Sequence, residues 1–304
     1  MGMFSFISAD SGNPGHGANP PPPPPTPVST APLRAGVYLR PWTENPTTIG
    51  ALPDLRPGVI RINYPAFPLM THNVDAAEAD RLVGKIETQI VYARSLGALP
   101  LIATTLGTIA PASSNDVYDS RQAVADYYAS VAKRYPGCAW EIGNEAEIAS
   151  GGGDAALSAE TYGSVFETHA YAIRTVDPTA KLVTAGTSGF HTDWIRAVLA
   201  VTRPDAVGVH PYGSAPQNYA SAVAAIGTKL PVWFTEWGVP NNSPEAVTNF
   251  FTNARGVVPV AVLFCLSDLS ADNGQPFGLI DAFGNRRPSY GAAKTMFART
   301  ASVT

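Results

Sequence analysis

The sequence predicts a single (β/α)₈ TIM barrel, an α/β fold in which eight parallel strands close into a cylinder surrounded by helices. Short runs of β-branched apolar residues recur along the chain, on average about every 32 residues. Amphipathic segments with helix-start signals lie between these runs. No Gly-rich phosphate-binding turn follows the first run, although an open nucleotide-binding sheet usually carries one.

Length and composition divide the chain into two parts. The 304 residues leave room for one barrel of about 250 residues and an extension. Residues 1–32 are rich in Ser, Gly and Asn, contain the run Pro20–Pro25, and offer almost nothing to bury. We therefore expect residues 1–32 to be a disordered tail with a polyproline spacer, and residues 33–304 to form the barrel domain.

Each predicted strand is followed by a segment that could form a helix, with one weak case. The strands are expected to begin near Gly36, Val59, Leu99, Ala139, Lys181, Ala206, Val232 and Ala261. Asp75 with Glu78 three residues later has the pattern of a capping box, and Gly97 lies where that helix would end. Further helix starts are predicted at Ser158, Thr192 and Ser243. Only the segment 47–55, after the first strand, is a poor helix former.

Charge and cysteine content exclude several functional classes. The formal net charge is −4, and no cluster of Lys and Arg provides the positive surface that nucleic acid or an anionic membrane requires. No apolar run reaches the roughly 18 residues that a membrane span needs. Cys138 and Cys265 are expected to be buried free thiols, and the histidines lack metal-ligand spacing. We therefore expect a neutral ligand and no metal or other cofactor. We also expect the protein to be a monomer.

Two predicted strands end in a glutamate. Asn144 and Glu145 close the fourth strand, and Glu236 lies at the end of the seventh. Sites in this fold lie at the carboxyl ends of the strands, and three βα units separate the two glutamates, so they should face each other across the barrel mouth. Paired carboxylates are what glycoside cleavage requires, because one protonates the leaving oxygen while the other attacks the anomeric carbon or activates water.

These strand ends resemble a known group of enzymes. The segments Trp-Glu-Ile-Gly-Asn-Glu at 140–145 and Trp-Phe-Thr-Glu-Trp-Gly at 233–238 are similar to the acid/base and nucleophile strands of clan A retaining glycoside hydrolases, especially families 5 and 39. The resemblance covers residues 35 to 300. It implies that Glu145 is the general acid/base, with a raised pKa, and Glu236 the nucleophile, about 5 to 5.5 Å apart. Asn144 would then bind the sugar 2-hydroxyl.

Two further segments extend the resemblance. Val-Ile-Arg-Ile-Asn at 59–63 is similar to the clan segment whose arginine approaches the nucleophile, so Arg61 would keep Glu236 ionised. Val-His-Pro-Tyr at 209–212 is similar to the clan's His and Tyr pair. Tyr212 would donate to the nucleophile, and His210 would contact the sugar or the acid/base.

The chain departs from the clan pattern at the eighth strand. Clan members commonly carry a Trp there as a platform for the sugar, whereas this chain has Phe264. Phe264 or Trp237 could supply that surface, and we expect Trp42 and Trp237 to contact sugar through their aromatic faces. Glu141 has the strand parity of Glu145 but lies deeper, so we expect an interior group rather than a catalyst.

The sequence therefore predicts a retaining glycoside hydrolase acting on a β-linked polysaccharide or oligosaccharide. From the likeness to family 5 alone, an endo-acting hemicellulase is expected, with β-1,4-mannan as the first substrate and β-glucan or xylan next. Two alternatives remain: a non-catalytic carbohydrate-binding or adhesin barrel, and a transglycosylase that uses the same covalent intermediate. Localisation is left open, because the substrate class argues for an extracellular site while no export signal is visible at the N-terminus.

Overall fold

A computed structural model describes residues 29–69, 75–104, 106, 114–148, 156–271 and 275–301. Most of the predicted tail, residues 1–28, lies outside the described residues. Ser29 already lies against the barrel domain, where its backbone N–H donates to the Gly256 carbonyl at 3.1 Å.

Eight parallel strands form a closed barrel in chain order, β1 pairing with both β2 and β8. This confirms the predicted fold, and each strand begins within two residues of its predicted start. The strands are β1 Arg34–Leu39, β2 Val59–Tyr64, β3 Leu99–Thr104, β4 Ala139–Asn144, β5 Lys181–Ser188, β6 Val207–His210, β7 Val232–Trp237 and β8 Val260–Leu263.

Helices follow the strands and cover the outside of the barrel. They are α1 Pro46–Ile49, α2 Leu52–Leu55, α3 Ala76–Ser95, α4 Ser114–Arg134, α5 Ala159–Val176, α6 Thr192–Val201, α7 Tyr219–Ile226, α8 Pro244–Ala254 and α9 Pro288–Ala301. The weak segment after β1 forms only the two single-turn helices α1 and α2. Among the described helices, none has both the length and the apolar composition needed to cross a membrane.

The predicted helix starts are confirmed, with two refinements. Ser158 and Ser243 cap α5 and α8 through their side chains, whereas Thr192 is the first residue of α6 and makes no side-chain cap. At α3, the Asp75 side chain accepts from the Glu78 backbone N–H at 2.8 Å. The Glu78 carboxylate binds Arg81 instead of returning to Asp75, so only half of the capping box forms.

The alternation of side chains along each strand separates two cores. One lies between the strands and the helices, and the other fills the barrel interior. Apolar residues occupy the interior core, which holds Tyr38, Val59, Leu101, Ala139, Val183, Ala206, Trp233, Val260, Val262, Cys265 and Ala271. Cys138 and Cys265 are both buried and free, as predicted.

One strand breaks this alternation. The register of β7 against β8 shifts between Phe234 and Trp237, which is the signature of a β-bulge. As a result, the neighbouring side chains of Thr235 and Glu236 both reach polar groups inside the barrel, whereas Trp237 packs on the outside. The bulge therefore determines which side chains of β7 enter the mouth.

A buried histidine between α4 and α5 makes stability depend on pH. Burial lowers the pKa of His169 to about 4, against an ordinary value of 6.5, and its Nδ1 lies 2.9 Å from the Val165 carbonyl. The unfolded chain therefore binds a proton below pH 6.5 that the folded protein does not bind until about pH 4. Folding stability falls across this window as the pH is lowered.

We predict that His169→Leu removes this dependence. The free energy of unfolding of the wild type should fall, relative to the variant, by about 2.5 kcal/mol between about pH 7.5 and about pH 4.5. Urea denaturation of both proteins at each pH measures this difference. His191→Gln, which removes an exposed histidine, should behave as wild type, and equal pH dependence in wild type and His169→Leu would contradict the prediction.

Candidate active site

Arg61 lies at the centre of a polar group above the apolar barrel interior. It is 1% exposed, and β2 carries it into the barrel. Its guanidinium donates from Nε to Glu141 Oε2 at 2.6 Å, from Nη1 to Glu236 Oε2 at 2.7 Å and from Nη2 to Asn144 Oδ1 at 2.7 Å. Burial works against the charge, but the attraction of Glu141 and Glu236 outweighs burial and raises the pKa of Arg61.

Glu236 is held through both carboxylate oxygens. Oε2 accepts from Arg61, and Oε1 accepts from the Tyr212 hydroxyl at 2.9 Å. Burial and the adjacent carboxylate raise the pKa of Tyr212 well above its usual value, so this hydroxyl remains a donor. The Glu236 side chain is nevertheless 14% exposed, so a ligand in the barrel mouth can reach it.

Glu145 approaches the same space from the end of β4. Its φ of 45° lies in the left-handed region, which is unfavourable for a residue with a side chain and recurs at active sites. Its backbone N–H donates to the Gly186 carbonyl at 2.9 Å, which holds the turn in place. One of its carboxylate oxygens lies within 4.8 Å of one from Glu236.

His210 joins Glu145 to the rest of the group. It is fully buried at the end of β6, with Nδ1 at 3.0 Å from Glu145 Oε1 and Nε2 at 3.6 Å from Glu141 Oε1. Burial alone would lower the pKa of His210, but the charge of Glu236, the nearby Glu141 carboxylate and the hydrogen bond with Glu145 raise it to about 9. His210 is therefore an imidazolium cation near neutral pH.

The imidazolium overturns the expectation that Glu145 has a raised pKa. Burial acts in the expected direction, but the hydrogen bond and the positive charge of His210 outweigh it, with Arg61 contributing, and the pKa of Glu145 lies below its usual value. The proton nearest to Glu145 is accordingly on His210 Nδ1.

The structure also corrects the sugar-contacting role expected for Trp237. Its ring stacks on Phe250 of α8 with a centroid distance of 4.4 Å and an interplanar angle of 8°, and the residue is only 6% exposed. The bulge in β7 turns Glu236 inward and Trp237 outward. The Trp237 ring is therefore part of the outer core and presents no face to the mouth.

The other two aromatic candidates lie at the mouth end of their strands. Trp42 follows β1, is half-buried, and meets Phe67 edge to face with ring centroids 5.2 Å apart. Its contact with sugar stays a prediction. Phe264 follows β8 and packs on Tyr38, with ring centroids 5.0 Å apart. The Tyr38 ring in turn lies 5.3 Å from the Arg61 guanidinium carbon.

Two members of the group are not among the site residues that the sequence predicts. Tyr38 is paired with Arg61 in the register of β1 and β2, and this position at the end of a strand was a usable signal. Thr235 donates to Glu141 Oε1 at 2.7 Å from the strand that carries Glu236. Plain strand alternation puts either Thr235 or Glu236 inside the barrel, not both.

Glu145, His210 and Glu236 also form a possible ligand set for a metal ion, since one ligand atom from each lies within 4.8 Å of the others. Two cations, Arg61 and the His210 imidazolium, already lie against these carboxylates. Like-charge repulsion therefore opposes a divalent cation here. The arrangement suits acid/base and nucleophilic chemistry by two glutamates with different partners.

Comparison with known proteins shows that the fold of this chain is similar to that of several solved structures. No family model and no curated protein matches the sequence. A family 39 glycoside hydrolase from the gut symbiont Bacteroides cellulosilyticus WH2 aligns at a TM-score of 0.63 with 16% identity, covering 88% of this chain and 64% of the other. A GH5_18 variant from Streptomyces cattleya, in complex with Manβ1-4GlcNAc, aligns at 0.65 with 15% identity, covering 90% and 82%.

A glycoside hydrolase family 30 subfamily 8 xylanase from Clostridium acetobutylicum aligns at a TM-score of 0.64 with 14% identity, covering 89% of this chain and 73% of that one. The chain thus spans just under two thirds of the family 39 structure and more of the other two. All three neighbours are glycoside hydrolases of families 5, 30 and 39. The likeness to clan A glycoside hydrolases that the strand ends predicted is therefore confirmed at the level of fold.

Proposed function

We propose that this protein is a retaining glycoside hydrolase that cleaves a β-linked polysaccharide or oligosaccharide. One observation carries the proposal: two glutamates with unlike partners approach within 4.8 Å at the barrel mouth. Retaining enzymes hold their carboxyl groups about 5 to 5.5 Å apart, whereas inverting enzymes leave about 6.5 to 9.5 Å for a water molecule. The 4.8 Å limit refers to one oxygen from each glutamate, and so close an approach of the two oxygens supports direct attack on the sugar by one glutamate.

The partners of each glutamate support the division of roles. Glu236 receives hydrogen bonds from Arg61 and Tyr212, which orient its carboxylate for attack. A Glu236 oxygen forms a bond to the anomeric carbon while the glycosidic C–O bond breaks, and Glu145 gives a proton to the departing oxygen. Asn144, held by Arg61, is in place beside Glu145 to bind the sugar 2-hydroxyl.

The second step reverses the use of Glu145. Its carboxylate takes a proton from water, the water oxygen bonds to the anomeric carbon, and the bond to Glu236 breaks. The sugar leaves with its original anomeric configuration. At the end of this step Glu145 and Glu236 have both returned to their starting states.

The proton for the first step belongs to the His210–Glu145 pair rather than to either residue. The hydrogen bond of 3.0 Å between Nδ1 and Oε1 holds one dissociable proton. Moving it from Nδ1 to Oε1 gives a neutral imidazole and a carboxylic acid, which is the form that donates to the leaving oxygen. His210 thereby supplies the proton that Glu145 delivers.

The first substrate that we propose is β-1,4-mannan, whose internal β-mannosidic linkages the enzyme would cleave. The next candidates are β-glucan and xylan. The Manβ1-4GlcNAc complex of the Streptomyces cattleya neighbour supports mannose-containing substrates, while the xylanase neighbour shows that this fold serves other sugars too. A transglycosylase would share every step up to the acceptor. A carbohydrate-binding barrel would need neither the carboxylate pair nor its supporting cations.

We predict that Glu145→Gln and Glu236→Gln each abolish activity on the preferred polymer. Reducing-sugar release should be measured on β-mannan, glucomannan, Manβ1-4GlcNAc, mixed-linkage glucan and xylan. The activity of Glu145→Gln on these natural linkages should be about 10²- to 10⁴-fold lower than that of wild type, because this is the usual contribution of a general acid. Glu145→Gln should lose far less activity on a 2,4-dinitrophenyl glycoside, whose leaving group needs no proton, whereas Glu236→Gln should lose activity on both.

Glu245→Gln, a change in the exposed first turn of α8, serves as the control and should keep full activity. Activity that survives both active-site substitutions would place the reaction elsewhere. Tight binding of a polymer without cleavage would favour the carbohydrate-binding alternative.

We predict net retention of the anomeric configuration. Proton NMR during hydrolysis should show the β-anomer first, followed by slow mutarotation, because two displacements at one carbon restore its configuration. Added methanol should be captured as the β-methyl glycoside by the same intermediate. Initial release of the α-anomer would refute direct attack by Glu236.

A further inference from the structure

Glu141 is the most deeply buried carboxylate of the group and lies behind the two glutamates of the proposed reaction. It is 0% exposed, yet it is ionised, because the charges of Arg61 and of the nearby His210 imidazolium outweigh burial and hold its pKa at about 2. A buried charge is costly unless its hydrogen bonds are satisfied. Its retention here calls for a purpose beyond packing.

The contacts of Glu141 span four other strands of the barrel. Oε2 accepts from Arg61 of β2 at 2.6 Å. Oε1 accepts from Thr235 of β7 at 2.7 Å and from the Gly186 backbone N–H of β5 at 3.0 Å, and it faces His210 Nε2 of β6 at 3.6 Å. Arg61 and His210 are the residues that hold Glu236 and Glu145, respectively.

We propose that Glu141 is a positioning residue which fixes Arg61 against Glu236 and His210 against Glu145, and whose charge sets the proton affinity of the His210–Glu145 pair. The expected effects of Glu141 on catalysis rest on the proposed function. The expected effects on the ionisation and placement of His210 do not, and they can be tested without a substrate.

The charge balance of the group explains how Glu141 affects the proton. Three carboxylates, Glu141, Glu145 and Glu236, surround two cations, Arg61 and His210. One negative charge is in excess, and this excess favours keeping the dissociable proton on the His210–Glu145 pair. Without the charge of Glu141, the remaining four groups balance while Glu145 is ionised. Proton affinity must then fall at both His210 and Glu145.

The same groups are the titratable residues that face His210 in the part of the chain that the structure describes. Glu141 and Glu145 approach from β4 and its end, Glu236 from β7 and Arg61 from β2, and the neutral Tyr212 ring meets the imidazole edge to face. The site has no space for His210 to move toward β5. A Cβ added at Gly186 would lie 2.2 Å from Nε2.

The decisive variant is Glu141→Gln, which keeps the shape of the side chain and removes its charge. In the full-length protein, kcat/KM on the preferred substrate should fall about 10²-fold, the scale of a small misplacement of reacting groups. The loss should lie mainly in kcat, because Glu141 does not reach the substrate. The alkaline limb of the pH profile should move to lower pH, since the acid loses its proton more readily.

An NMR titration with ¹⁵N-labelled histidine tests the same proposal without any activity. The His210 imidazole should remain charged to about pH 9 in wild type and should lose its proton at lower pH in Glu141→Gln. Glu147→Gln is the matched control. Glu147 lies in the loop that follows β4, its side chain is 2% exposed, and its carboxylate accepts from the Ser188 backbone N–H rather than contacting Arg61 or His210. Glu147→Gln should show the same His210 titration and the same pH profile as wild type.

Glu141→Asp separates position from charge and covers the case in which Glu141→Gln does not fold. It retains the charge but is one methylene shorter, so kcat should fall while the alkaline limb stays near that of wild type. Wild-type kcat in Glu141→Asp, or an unchanged His210 titration in Glu141→Gln, would overturn the proposal. A shifted titration in a protein that hydrolyses no glycoside would uphold the positioning role and refute the proposed function alone.

Discussion

The attachment of one guanidinium to three side chains inside the barrel is the interaction on which the candidate site depends. Arg61 is removed from water, so each N–H direction must find an acceptor, and the acceptors come from β4 and β7. Only a closed barrel brings the ends of β2, β4 and β7 to one point. The placement of Glu236 and Asn144 is therefore a consequence of satisfying a single buried cation.

The apolar interior below this group strengthens it. Val59 lies two residues before Arg61 on β2, and Ala139 lies two residues before Glu141 on β4, so each strand passes from an apolar to a charged interior position. Little water can approach from this side, and electrostatic interactions are stronger where water is excluded. The same exclusion makes any unbalanced charge costly, so the carboxylates and cations must be considered together.

Periodicity explains why so much of this arrangement was predictable from sequence. Strand starts, barrel closure and the facing positions of Glu145 and Glu236 follow from regular βα spacing, which requires no knowledge of side-chain contacts. The sugar contact expected of Trp237 was wrong, since with Glu236 facing inward plain alternation already turns the next side chain outward. What no residue type in β7 signals is the one-residue bulge, which lets Thr235 face inward beside Glu236. The lowered pKa of Glu145 did not follow either, since it arises from His210, which is distant in sequence and adjacent only after folding.

The His210 imidazolium resolves an apparent conflict in the proposed chemistry. A general acid with a lowered pKa would be a poor proton donor if it acted alone, and Glu145 alone fits that description. The charge of its neighbour changes the argument: the group as a whole carries one negative charge too many, so it retains a proton up to the range in which His210 titrates. When the leaving oxygen takes that proton through Glu145, the imidazole becomes neutral and Glu145 regains its charge. The pair is then ready to accept a proton from water in the second step, and the pH at which the acid is lost reflects the whole group rather than one carboxylate.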